Sequence, residues 1–399
     1  MRSVLKLGTT LLIFMLALSS CQKDSLTEEL SLSENVAVQK NGIATDLTGD
    51  EETAFARRGS RGAGAVYVMD NDPAGNNILA FTRQNDGTLD GPTSYATGGE
   101  GSGGGLGSQG SIITRGAHLF VVNAGSNEIS VFFALGDQLN LLNTVPSEGV
   151  MPTSLTIHGN TLYVLNAGGS GNIAGFQLGS NGSLTYIEGS SQSLSSSSAA
   201  AAQIAFNPAG NVLVVTERAT NLITTYTVGP DGVASAGTSF PSAGPTPFGF
   251  EFKFNGQLLV SEAAGGAADA SSASLYNLSG TGIPNLIDGP VATNQTAACW
   301  LVVTNNGRYA YTTNTGSASV SGYEVNNLGM ELLDSDGVTG VTGAGPIDMD
   351  LSRNSKFLYT INNGDDSISV FAVDQSDGSL THIEEITGLP ATALGLAAQ

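Results

Sequence analysis

Residues 356–388, KFLYTINNGDDSISVFAVDQSDGSLTHIEEITG, read as three strands separated by two turns. The first runs from Phe357 to Asn362, alternating until a polar stop. The second, Ser367 to Val373, follows a turn at Asn363-Gly364-Asp365-Asp366, and the third starts at Leu380 after Asp377-Gly378. Short β-branched and aromatic runs broken by Gly, Asn and Asp are the signature of hairpin-connected antiparallel strands, because those residues supply the φ values tight turns need. GPIDMDLS, at 345–352, supplies a fourth strand just before them. Four strands per unit is a propeller blade.

Outward from this unit the same grammar recurs. The polar residue that ends each strand of the LYVxN type falls at Asp70, Asn123, Asn166, Glu217, Glu262, Asn314 and Asn362. Seven units at this blade-sized spacing predict an all-β, seven-bladed propeller of four-stranded antiparallel blades occupying residues 64–399. Six of the seven strands are preceded by a further apolar run, as at Gln203 to Asn207, Phe248 to Phe254 and Ala298 to Thr304. The first is not. Its partner is expected to be Ala391 to Gln399, ATALGLAAQ, so that the C-terminal strand closes the ring in the first blade and removes an open sheet edge.

Only 12% of the 399 residues are charged, and the net charge is −21. From Gly64 onward the chain has 7 Lys or Arg against 27 Asp or Glu, a body that repels nucleic acid phosphates. Ahead of it, residues 1–20 have a basic start, an apolar run from Leu11 to Leu18 and small residues before Cys21, which predicts a secretory signal. Leu18-Ser19-Ser20-Cys21 resembles the bacterial lipobox, which implies lipidation of Cys21. Residues 21–63 are polar, without strand periodicity, and are expected to be a tether of roughly 35 Å reach between an outer-membrane anchor and the head, at the cell surface.

Three links are longer than the repeat requires: Gly98 to Gly107, Gly189 to Ala202 and Ala263 to Ser274, all on the same face of a propeller. They are candidate binding rims. The Gly-rich link lacks the Lys-Ser/Thr and helix of a phosphate loop. His118, His158 and His382 are scattered, without metal-ligand spacing, and the first two are read as turn residues, so neither metal nor cofactor is expected.

The units LYVxN, ISVF and DGSL, with IAFNPAGNVLVV at 204–215, resemble the seven-bladed lactonase family, which includes bacterial 6-phosphogluconolactonase and fungal carboxymuconate cyclase. That resemblance implies the propeller fold over residues 64–399 and, for an active member, lactone chemistry on anionic substrates. The chain departs from the family at the residues such chemistry would use. Ala201, Ala202 and Gln203 stand in place of the family's Pro-Arg-His run, Thr153 stands for a His and Ile347 for an Arg. Glu217 matches the family's acidic strand end.

The strand-end residues Asp70, Asn123, Asn166, Asn314 and Asn362 are candidate binding groups; the plainer reading is that they shape their own turns. Glu217 and Glu262, in adjacent blades, are candidate catalytic carboxylates, since two close carboxyls can split into acid and base or share a cation, and Arg218 could steady an oxyanion or neutralise Glu217. The expected function is a monomeric, surface-tethered binding module for a neutral glycan, small molecule or protein. A divergent lactone hydrolase or cycloisomerase with Glu217 as general base is the second reading, and a structural or adhesive surface protein the third.

Overall fold

The computed structural model describes residues 64–399, so Cys21 and the signal and tether segments lie outside the described residues. Seven antiparallel sheets follow one another along the chain, each ordered from an innermost to an outermost strand. In the seventh blade these strands are Pro346–Leu351, Phe357–Asn362, Ser367–Val373 and Leu380–Thr387, as the alternation of the sequence requires. The outer strand is split in two in the third blade (Leu184–Tyr186 and Gln192–Ser193) and the sixth (Met330–Leu332 and Gly340–Val341). The seven innermost strands contact one another in a closed cycle.

Closure takes the expected form. Leu394–Ala398 pairs antiparallel with Gly64–Met69 in the register Val66↔Ala398, Tyr67↔Ala397 and Val68↔Leu396. Strand direction then defines two faces. The links from outer strand to next inner strand, and the second-to-third hairpins, form the upper face; the other hairpins form the lower face. Gly64 begins a second strand, so the chain joins the propeller on the lower face.

Element bounds differ from the sequence reading at four places. Ala201 and Ala202 belong to the innermost strand Ala201–Phe206, and Ser272 to Ser274 open the strand Ser272–Leu278, so both links are shorter than expected. His118 and His158 are strand-terminal residues, flanking tight turns on the lower face.

Blades are joined by a repeated clamp. The Tyr of the second strand is fully buried, and its hydroxyl donates to the Gly carbonyl of a lower-face turn in the next blade: Tyr67 to Gly136 at 2.6 Å, Tyr163 to Gly232 at 2.7 Å, Tyr311 to Gly378 at 2.8 Å and Tyr359 to Gly87 at 2.9 Å. The LYVxN and DG motifs are therefore two halves of one contact. Each such bond satisfies a phenol that burial would otherwise penalise.

Around the axis a second set of bonds joins innermost strands. Ser154 Oγ accepts from the Ile204 amide at 3.1 Å and Thr156 Oγ1 from Phe206 at 3.0 Å. The Gln203 side chain makes both bonds to the Phe250 backbone, at 2.7 and 2.9 Å. Asp348 accepts from the Leu396 amide at 3.0 Å and Asp350 from Ala398 at 2.9 Å. Side chains thus replace the ladder partner that an innermost strand lacks on its axial edge.

Candidate functional site

The polar ring occupies the predicted strand ends, and the structure turns it inward. Asn123, Asn166, Glu217, Glu262, Asn314 and Asn362 are all 0% exposed, and Asp70 is 7% exposed. Asn123 donates to Ser130 Oγ at 2.7 Å and accepts from Asn76 and Thr97 of the preceding blade at 2.9 and 2.7 Å. Asn314 donates to Ser319 and Ser321 at 3.0 and 2.9 Å, and Asn362 to Ser367 and Ser369 at 2.9 and 2.8 Å. Asn166 donates to the Ser147 carbonyl at 3.0 Å. Asp70 accepts from the Asn77 amide at 2.7 Å, closing its own hairpin.

Asn123 and Asn166 tie a hairpin to the link arriving from the previous blade, while Asp70, Asn314 and Asn362 brace their own hairpins. That link must come very close: a Cβ on Gly99 would sit 2.5 Å from Asn123 Cγ, and one on Gly149 would sit 2.4 Å from Asn166 Cγ. The proposed binding groups are therefore buried beneath the link and turned toward their own hairpins, and among them Asn166 Oδ1 and Asn314 Oδ1 are buried without a hydrogen-bond partner.

The two glutamates sit in separate, fully occupied polar nests. Glu217 accepts from the Ser195 amide at 3.0 Å, from Ser195 Oγ, and from Thr220 and Thr224 hydroxyls at 2.8 Å each. Glu262 accepts from the Gly244 amide at 3.1 Å and from Ser272 Oγ at 2.5 Å. Burial pushes the Glu262 carboxyl up, while the bonds from Ser272 and Gly244 pull the other way. Arg218 does not bond Glu217. Its Nε donates to the Ala200 carbonyl at 3.0 Å and its guanidinium lies 5.2 Å from the Phe248 ring centroid. Burial pushes it down to about 10, which leaves it cationic at neutral pH.

A part of the site not foreseen from sequence is the passage of the Gly-rich link across the mouth of the axis. Gln109 reaches the opposite side of the ring, where its side chain bonds the Leu301 amide and carbonyl at 3.0 and 2.8 Å, while its amide donates to Ala202 at 3.0 Å. Trp300 Nε1 donates to the Ser108 carbonyl at 2.8 Å, and the indole packs 4.8 Å from Phe248. Gly107, at φ +57°, lies against Arg218, and a Cβ there would come within 2.8 Å of Nη1. The positive φ at Gly107 is one that glycine adopts without strain.

Beside this plug lies a cavity of about 230 Å³, walled by the link at 103–108, Trp300, Ile347, Asn363 and the segment around Thr392. No ionisable side chain lines it. The ionisable groups near the axis belong to the innermost strands below it: Asp348, Asp350 and Glu251. Burial pushes Asp350 up to about 6 and Glu251 up to about 7, and raises Asp348 as well. Among the described residues no group of three or more His, Cys, Asp or Glu is arranged to hold a metal ion.

The fold and site define a closed seven-bladed β-propeller with a small uncharged pocket at the plugged end of its axis. The model of the lactonase family of seven-bladed β-propellers matches residues 170–269 and 291–389, and the chain resembles that family. No curated protein matches the chain. Among solved structures, a candidate 6-phosphogluconolactonase from Bacteroides fragilis is similar at 20% identity and a TM-score of 0.65, over 84% of this chain and 97% of that one. The periplasmic gluconolactonase of Pseudomonas aeruginosa is similar at 17% identity and a TM-score of 0.65, over 82% and 96%. At these identities the likeness is one of fold.

Proposed function

We propose that the propeller is a binding module whose upper-face pocket takes one small neutral ring, such as a sugar residue or a lactone, and that a lipid on Cys21 tethers it at the surface of the outer membrane. The observation that carries the reading is the pocket itself. Its walls are apolar side chains, glycine backbone and a few neutral polar groups, which suits an uncharged ligand, and it offers no acid, base or activated nucleophile. Its volume, about 230 Å³, is below that of sites for drug-sized ligands, roughly 300 to 1,000 Å³.

The test is calorimetric titration of the full chain with neutral mono- and disaccharides and lactones, beside Thr392→Trp, which fills the pocket from a partly exposed position. Wild type should bind a member of the panel and the variant should not, at an unchanged melting temperature. Unchanged binding in Thr392→Trp would remove the pocket from the function.

The family resemblance supports a second reading, a divergent lactone hydrolase with Glu217 as general base and Glu262 as its partner. Removal of a general base costs about 10² to 10⁴ in rate. Wild-type turnover of a lactone that disappears in Glu217→Gln, with the fold intact, would establish that reading over the first.

A further inference from the structure

The two most exposed large apolar side chains among the described residues stand side by side on the lower face. Phe254, 81% exposed, is on the hairpin that joins the first two strands of the fifth blade, and Leu328, 86% exposed, is on the turn that joins the last two strands of the sixth. Their turns are fastened together. Lys253 Nζ donates to the Asn326 carbonyl at 3.1 Å, Asn255 Nδ2 to Asn327 Oδ1 at 3.0 Å, and Gln257 Nε2 to the Asn327 carbonyl at 2.9 Å. The result is a held pair of apolar tips.

The same face receives the chain, at Gly64, after 63 residues that include Cys21. The basic residues also gather there. Arg83, Arg115, Lys253, Arg308, Arg353 and Lys356 lie at lower-face strand ends or hairpins, and of the Lys and Arg among the described residues Arg218 alone is on the upper face. Arg353 and Lys356 are exposed; Arg308 pairs with Glu324 at 3.7 Å, and Asp374 and Asp377 are exposed nearby. This rim carries both signs of charge, as a zwitterionic headgroup layer does.

We propose that Phe254 and Leu328 insert into the bilayer that anchors the chain, which turns the upper-face pocket away from the membrane. The proposal rests on the reading of Cys21 as lipidated. An anchored chain meets its own bilayer at high effective concentration, so a contact far too small for free association is sufficient. Two tips do not supply the roughly 800 Å² per partner of a standard protein interface, which favours lipid over a second copy. Exposed aromatic and aliphatic tips beside cationic side chains are suited to the headgroup boundary.

The experiment uses the full lipidated chain in phosphatidylcholine vesicles, with a nitroxide on Leu328→Cys and, as a control on the upper face, on the exposed Ser198→Cys. Accessibility to oxygen and to a polar nickel chelate is read by power saturation. The label at 328 should be shielded from the chelate several-fold relative to the label at 198. Equal chelate access at both positions on vesicle-bound protein would overturn the proposal and leave the anchor standing. A wild-type chain that does not partition with vesicles would overturn both. A detergent-solubilised dimer that Phe254→Ser converts to monomer would assign the tips to a second copy and overturn the lipid contact.

Discussion

Asp350→Asn should flatten part of an inverted pH dependence of stability. Burial raises Asp350 from 3.8 to about 6 and Glu251 from 4.5 to about 7, with Asp350 adding to the rise at Glu251. In the unfolded chain both carboxyls return to their ordinary values, so between those values and the raised ones the folded state binds more protons than the unfolded state. Stability is therefore greatest below about pH 4 to 5, as far as these two groups decide it, and falls as pH rises through the folded values toward 7. At about 1.4 kcal/mol per unit, the Asp350 shift amounts to about 3 kcal/mol, or roughly 4 °C in melting temperature for a domain of this length. The net charge of −21 acts in the same direction through self-repulsion, so wild type alone does not isolate the effect. The variant does. Asn retains an acceptor for the Ala398 amide and cannot ionise, so calorimetric scans from pH 5 to pH 8, which span about half of that shift, should show its slope reduced by roughly 2 °C, most of the gain lying at pH 8. A wild type that melts no lower at pH 8 than at pH 5, or a variant that keeps the whole slope, would refute the assignment of burial as the cause.

Deleting 391–399 should leave aggregated or far less stable protein, because it removes two buried leucines worth about 1.5 to 3 kcal/mol each and strips Asp348 and Asp350 of their amide donors; an unchanged melting curve would exclude closure by this strand. Asn362→Ala should lower stability by about 1 to 3 kcal/mol in denaturant titrations, since Ser367, Ser369 and Glu385 lose a shared buried donor. Tyr359→Phe should cost about 1 kcal/mol by leaving the Gly87 carbonyl unpaired, and a cost near zero would show that the clamp adds nothing beyond packing. Cys21→Ser should abolish labelling by palmitate and release the chain from the membrane fraction; persistence of both would refute lipidation.

The architecture was legible because a blade writes its own punctuation. Asn363-Gly364 and Asp377-Gly378 mark two turns of the seventh blade, and the runs between them alternate with period two. Ring closure was legible from an imbalance, since the strand at Gly64–Met69 had no apolar run before it and Leu394–Ala398 had no blade of its own. The site was less so. A strand-end Asn or Glu looks the same in sequence whether it faces solvent or an arriving link, and only the fold shows Gly99 and Gly244 pressed against Asn123 and Glu262. The Ser or Thr seven positions after Asn123, Glu217, Asn314 and Asn362 was the available signal, because across a tight hairpin that residue lies on the same face. The acids inside GPIDMDLS and PFGFEF were a signal too: a carboxylate in an innermost strand is costly unless it has a task, and here Asp348 and Asp350 hold the closing strand. Nothing local in the sequence pointed to Gln109, whose partner Leu301 is 192 positions away.

The closing strand also sets the timetable of folding. Tyr67 and Gln399 meet across 332 positions of chain, so the first blade to be synthesised is the last that can be completed. Until residues 394–398 emerge, Gly64–Met69 presents an unpaired axial edge, and the contact that finally covers it must bring together segments separated by nearly all of the described chain. No nascent fragment contains a finished ring, so the propeller locks only once its last strand has been made.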